Sequence, residues 1–168
     1  MSIPRVVYYS HTKWTARVAE AVRAHAGAEL ARIRPARRLR WPLDLLRAGK
    51  MAFRGERQRL DDGQPEPAPS ALTFVGTPVW ANRLSPAARA WLERRADRLG
   101  PVAFFATYGG IGTDRVLRDM AAAAGREPVA TLMVSHDDIV KPALDGEVRR
   151  FVESARAAQE RGDTTGGR

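Results

Sequence analysis

The 168 residues are enough for one domain with a hydrophobic core, and the 44% share of apolar residues is typical of a globular chain rather than a disordered one. The sequence contains no cysteine, which excludes disulfides, thiolate nucleophiles and cysteine-ligated metal centres. No apolar run is long enough to cross a bilayer, and the N-terminus lacks the pattern of a secretory signal, so we expect a cytoplasmic protein.

The net charge of +9 is concentrated in one part of the chain. The segment Arg32–Arg59, called the basic segment below, contains ten basic residues against Asp44 and Glu56, which leaves it at net +8. The rest of the chain is close to neutral. The excess charge therefore belongs to one face or one arm, and its explanation must be local.

The first half of the chain predicts two strands and two helices. The stretches RVVYY (Arg5–Tyr9) and AELARI (Ala28–Ile33) are typical of strands. Between them, helical spacing predicts a buried face formed by Thr15, Val18, Ala19, Val22 and Ala26. After the second strand, a basic helix from Pro42 is predicted to bury Leu45, Leu46, Ala52 and Phe53. The composition of Asp61–Ser70 is that of a loop.

The second half predicts three more strands, each followed by a helix. The strands are ALTFVG (Ala71–Gly76), VAFFAT (Val102–Thr107) and PVATLMV (Pro128–Val134). A loop after the first of them ends at a helix with Ser85 as N-cap and Pro86 in the first position. A helix capped by Thr113 or Asp114 follows the second strand and ends at Gly125, and a helix capped by Asp145 follows the loop SHDDIVKPALD.

Apolar strands that alternate with amphipathic helices predict an α/β fold, a doubly wound parallel sheet of five strands with helices on both faces. We expect a single domain over residues 1–158, with a basic helix and loop over 34–69 between the second and third strands. Residues 159–168 are predicted to form a flexible tail.

Ligands of such sheets bind beyond the carboxyl ends of the strands, so the loops after strands one, three and four are the candidate site. The first loop, SHTKWT (Ser10–Thr15), leads directly into a helix N-terminus, where free amides and the helix dipole favour an anion. Its hydroxyl groups and Lys13 favour a phosphate monoester. An ordinary helix cap is the alternative interpretation.

The other two loops contain aromatic residues and glycines. In TPVWANRL (Thr77–Leu84), Trp80 is either a core side chain or a stacking surface for a flat ligand. In TYGGIG (Thr107–Gly112), Gly109 and Gly110 allow a close backbone approach, and Tyr108 offers a second aromatic wall; a plain turn is the alternative. One ligand placed at this edge would contact all three loops.

Three stretches resemble the flavodoxin family of proteins that bind flavin mononucleotide (FMN). They are YYSHTKWTARVAEAV (Tyr8–Val22), FVGTPVWANRLSPAARAWL (Phe74–Leu92) and VAFFATYGG (Val102–Gly110), and the resemblance extends over Arg5 to Ala155. It implies the strand order 2-1-3-4-5 and FMN as cofactor. It also implies electron transfer to a redox partner protein, or reduction of a small acceptor such as a quinone.

The resemblance implies a set of cofactor-binding residues from all three loops. They are Ser10, His11, Thr12, Lys13, Trp14, Thr15, Thr77, Pro78, Val79, Trp80, Thr107, Tyr108, Gly109 and Gly110. The chain departs from the family's first loop, since Lys13 and Trp14 replace the usual glycine and asparagine. Because the flavin would do the chemistry, no catalytic side chain is implied.

A different class of function stays open from the residues alone. The chain would then be a flavin-free binding module that docks an acidic partner, nucleic acid or anionic lipid through Arg32–Arg59, with nucleic acid the least favoured. Trp41 beside the arginines fits a membrane surface or an anchor to the sheet. The three histidines show no metal-ligand spacing, and SHDD (Ser135–Asp138) is interpreted as a solvated loop.

Overall fold

The strands of the computed structural model form one mixed sheet. The structure describes residues 3–37, 40, 42–67 and 71–165, so Arg38 and Trp41 of the basic segment lie outside the described residues. The strands are β1 (Arg5–Tyr8), β2 (Glu29–Arg32), β3 (Thr73–Trp80), β4 (Arg83–Leu84), β5 (Val102–Tyr108) and β6 (Ala130–Ser135). Their order is β2-β1-β3-β5-β6, all parallel, with β4 antiparallel to β3. The predicted order 2-1-3-4-5 is confirmed, and one strand is added to the five.

Helices cover both faces of this sheet. They are α1 (Lys13–Ala26), α2 (Leu43–Phe53), α3 (Pro86–Arg95), α4 (Arg115–Ala124), α5 (His136–Ile139) and α6 (Ala143–Thr165). Helices α1 and α6 pack together, and α3 packs against α4 in the other core cluster. The central strands are buried and mostly apolar, as expected where both faces of a sheet are covered. The five residues predicted for the buried face of α1 are the five that α1 buries.

The segment Thr77–Leu84, which we predicted to be a loop, is a β-hairpin. Strand β3 continues through Trp80, and Ala81 and Asn82 turn the chain with φ angles of 47° and 61°. Two successive residues with positive φ are the usual means of a tight hairpin. The Thr113 hydroxyl donates to the Asn82 side chain at 2.7 Å, so a contact distant in sequence holds the turn.

The predicted inner face of α2 is wrong for two of its four residues. Leu46 and Phe53 are 75% and 67% exposed, whereas Ala48 and Ala52 are buried. The helix lays its narrow side, with Ala48, Gly49 and Ala52, toward the protein. Small side chains allow the helix to approach closely, and the larger ones are left outside.

The segment that follows the last strand is also more ordered than a solvated loop. Its first residues form α5, where the Ser135 hydroxyl accepts a hydrogen bond from the Asp138 amide at 3.1 Å. Helix α6 begins at Ala143, so Asp145 lies in its first turn rather than at its cap. The helix extends past residue 158 to Thr165, and flexibility of the tail stays a prediction. None of the helices within the described ranges is long and apolar enough to cross a membrane.

Candidate functional site

The strand register brings the carboxyl ends of three strands to one edge of the sheet. Tyr8 of β1 pairs with Gly76 of β3, and Pro78 of β3 pairs with Thr107 of β5. Beyond this edge lies a cavity of about 280 Å³. It is lined by His11, Thr12, Leu45, Gly49, Pro78, Val79, Trp80, Ala81, Thr107 and His136. The cavity, called the edge cavity below, is in the place where a doubly wound sheet binds its ligand.

Two of the hydroxyl groups predicted to bind phosphate are used inside the protein. Ser10 is buried, and its hydroxyl donates to the Thr12 carbonyl oxygen and accepts from the Ala16 amide at 3.3 Å. The Thr15 hydroxyl lies 2.8 Å from the Thr107 hydroxyl in the interior. These contacts shape the loop and tie α1 to β5, and they leave neither group directed at a ligand.

The remaining donors of this loop are at the start of α1. Thr12 is the N-cap residue, yet its side chain makes no capping hydrogen bond. Thr12 and Lys13 are both exposed, and the amides of the first helical turn have no intrahelical partner. A positive helix end with a hydroxyl and an ammonium beside it is suited to an anion.

Trp80 is half-buried and lines the edge cavity. Its ring centroid lies 5.6 Å from that of Tyr9 and 6.0 Å from that of His11, and both pairs are close to perpendicular. Edge-to-face contacts of this kind are favourable for aromatic rings. Trp80 is thus neither a fully buried core residue nor a free ring; neighbours hold it at the cavity wall.

A second cavity, of about 350 Å³, lies on the other side of the β1–α1 loop and shares His11 with the first. Arg32 lines it and donates to the Ser10 carbonyl oxygen at 2.6 Å. Tyr9 also lines it, and burial raises the pKa of Tyr9 to about 12, although the charge of Arg32 acts in the opposite direction. The phenol is therefore neutral near pH 7.

Several residues predicted for the site do not line the edge cavity. The Trp14 ring stacks on His136 with centroids 5.0 Å apart and planes at 19°, and the Lys13 ammonium lies 5.1 Å from the Trp14 centroid. The buried Thr77 hydroxyl bonds with that of Ser85 at 2.8 Å. These three contacts consolidate the segments around the cavity.

The glycine-rich loop lies outside the edge cavity, and its Gly109 and Gly110 are exposed. Tyr108, Gly109 and Gly110 are all absent from the cavity wall among the described residues. A Cβ at Gly109 would lie 2.7 Å from His136 Nδ1, and one at Gly112 would lie 2.7 Å from the Tyr108 ring. These glycines make room for neighbouring rings, so a role for them in binding a ligand stays a prediction.

Four residues of the cavity wall were not predicted for the site: Leu45, Gly49, Ala81 and His136. His136 directly follows β6, at the edge of the sheet where ligands bind, and this position in the sequence could have indicated that it belongs to the site. Burial lowers the pKa of His136 below 6.5, with the charge of Asp137 in opposition. The imidazole is thus neutral at pH 7. Leu45 and Gly49 lie on α2, and no local sequence pattern predicts that this helix packs beside the cavity.

The strand order and the cavity at the reversal of that order define a flavodoxin fold. Known structures agree. A candidate flavoprotein from Bacteroides eggerthii superposes with a TM-score of 0.73 at 19% identity, over 93% of this chain and 99% of that one. A Lactobacillus acidophilus flavoprotein in complex with FMN gives 0.63 at 18% identity, over 83% and 97%.

The two-electron reduced flavodoxin of Megasphaera elsdenii superposes with a TM-score of 0.56 at 16% identity, over 92% of this chain and 99% of that one. No protein-family model matches the chain, and the comparison with curated proteins finds no match. These structural similarities establish the flavodoxin fold.

Proposed function

We propose that this chain binds FMN at the edge cavity and acts as a redox protein. It passes electrons to a partner protein or reduces a small acceptor such as a quinone, and we expect it in the cytoplasm. The observation that carries the proposal is the junction of the edge cavity with the open N-terminus of α1. A flat ligand with an anionic tail matches both parts of that junction.

The residues present fit such a ligand in a particular way. The phosphate would be held by the first-turn amides of α1 with Thr12 and Lys13, because the Ser10 and Thr15 hydroxyls are already engaged. Trp80 would flank the ring system. The edge cavity of about 280 Å³ is slightly smaller than the ~300–1,000 Å³ usual for ligand pockets, so part of the ring would face solvent.

The bound flavin would supply one- or two-electron chemistry, and the protein would supply position and environment. Leu45, Pro78 and Val79 give the cavity wall apolar side chains that would contact the ring system. His136 is neutral near pH 7 and stacked on Trp14, so it offers a polar ring without a charge. A partly exposed ring would allow electrons to reach an external acceptor.

Calorimetric titration of the purified chain with FMN and with riboflavin tests the proposal. FMN should bind, and Lys13→Gln should weaken it at least about tenfold, the effect of one hydrogen bond to a charged group. Riboflavin has no phosphate, so its affinity should not change in this variant. Arg17→Gln, an exposed cation one turn further along α1, is the matched control.

Two results would contradict the proposal. Absence of FMN binding would reject the redox function. Equal losses of FMN and riboflavin affinity in Lys13→Gln would show that the start of α1 does not hold the phosphate.

A further inference from the structure

Helix α2 has two faces with different surroundings. Leu45 and Gly49 line the edge cavity, and Ala48 and Ala52 are buried. On the outside, Leu43, Leu46 and Phe53 are 77%, 75% and 67% exposed. Half of the large apolar side chains that are exposed among the described residues lie on this one helix. Their concentration distinguishes the helix from ordinary surface, where such residues are scattered singly.

The exposed apolar residues form a stripe with cations. Leu43, Leu46, Lys50 and Phe53 follow one another at spacings of three and four residues, so they share one side of α2. Arg47 and Arg54 lie next along the helix and are exposed as well. Within the part of the chain that the structure describes, Arg47 and Lys50 form no ion pair, so their charges are available to a partner.

We propose that the outer face of α2 docks on the surface of an anionic lipid bilayer. A helix that presents leucine and phenylalanine between lysine and arginine lies in the interface plane, with its apolar side chains at the acyl boundary and its cations among anionic headgroups.

The charge and the exposed apolar side chains of α2 together disfavour several other occupants. A second copy would bring two cationic segments of net +8 together. A nucleic acid would match the charge but leave Leu43 and Leu46 without apolar contact. An acidic protein would match the charge alone unless it also carried an apolar patch of the same shape, whereas an anionic bilayer meets both requirements.

Docking would have a consequence for the edge cavity. Because the inner residues of α2 line the cavity, its outer face would hold the cavity close to the bilayer. If the proposed redox function holds, an acceptor dissolved in the lipid, such as a quinone, would be within reach. The docking itself does not depend on what the cavity binds.

Co-sedimentation of the full chain with vesicles tests the docking. Vesicles of phosphatidylcholine mixed with phosphatidylglycerol should bind the protein, and vesicles of phosphatidylcholine alone should not. Binding should weaken as salt rises, because screening reduces the attraction of the cations. The measurement is made with and without added FMN, so a failure to bind flavin would leave its result unaffected.

Two double variants separate the contributions of charge and of apolar contact. Arg47→Gln with Lys50→Gln should weaken binding about 25-fold, since each cation near an anionic surface contributes about fivefold. Leu46→Gln with Phe53→Gln should weaken it at least about tenfold through lost burial of apolar surface. All four side chains are exposed, so the fold should be retained, which circular dichroism checks.

Matched controls come from other surfaces. Ile111→Gln removes an apolar side chain that is 84% exposed. Arg149→Gln removes an exposed cation on α6, which lies on the opposite face of the sheet from α3, the helix that contacts α2. Neither should change vesicle binding. The proposal is overturned if the chain does not bind vesicles with phosphatidylglycerol, if the controls lose as much as the α2 variants, or if the Leu46 and Phe53 pair has no effect.

Discussion

The hydrogen bond between Thr15 and Thr107 ties the start of α1 to β5, one of the three strands whose ends form the candidate site. The two hydroxyls lie 2.8 Å apart, and the residues are only 2% and 1% exposed. Thr15→Val keeps the branched shape but leaves the Thr107 hydroxyl without this partner. An unsatisfied buried hydroxyl costs about 1–3 kcal/mol, so Thr15→Val should lower the free energy of unfolding by that amount. Thr107→Val, which leaves the Thr15 hydroxyl without its partner, should have the same effect.

The double variant is the sharper measurement. Replacing both partners with apolar groups of the same shape is close to neutral, so the double variant should lose less stability than either single one. Urea denaturation gives the three values, with an unchanged m value as evidence that the denatured state is comparable. Thr131→Val, an exposed threonine in β6, should change stability by no more than about 0.5 kcal/mol. A double variant that loses the sum of the two single losses would refute the coupling.

Three further predictions concern packing and pH. Gly76→Ala should lower the free energy of unfolding by about 1–3 kcal/mol or more in urea denaturation, because its Cβ would lie 2.1 Å from the Phe105 ring; wild-type stability would show that the ring moves freely. Burial lowers the pKa of His136, so below pH 6.5 the unfolded state binds protons more readily than the folded state, and stability should decrease as the pH is lowered. His136→Gln should make this decrease smaller in thermal melts recorded across the pH range. An unchanged dependence on pH would contradict the prediction. The pKa of Tyr9, about 12, lies above its unfolded value of 10.0, so stability should decline above pH 10. Because Trp80 packs against Tyr9, Trp80→Ala should expose the Tyr9 phenol to solvent and move its pKa back toward 10.0 in an absorbance titration. An unchanged pKa would show that Trp80 does not shield the phenol from solvent.

Local periodicity was sufficient for most of the fold. The five residues predicted for the inner face of α1 are the five it buries, because a helix with only one apolar face has only one way to pack. The strands that are buried on both faces are mostly apolar runs, and this made their parallel arrangement predictable.

Helix α2 shows where periodicity failed. Its large and its small apolar residues lie on different sides of the helix. Hydrophobicity alone favoured the large ones as the buried face. The space above the sheet accepts Ala48 and Ala52, so Leu46 and Phe53 remain outside. Likewise, Ala81 and Asn82 carry only a weak turn signal, and the hydrogen bond that the Asn82 side chain accepts from Thr113, which is distant in sequence, holds the turn.

The sequence by itself determined the strands, the helices and the edge at which a ligand would bind, because strand and helix patterns are local, while the strand order followed from the resemblance to the flavodoxin family. Only the tertiary structure decided which groups are available there. Thr15 forms a hydrogen bond with Thr107, 92 positions away in sequence, and the His136 ring stacks on Trp14. The residues that remain for a ligand therefore depend on contacts that no local pattern encodes.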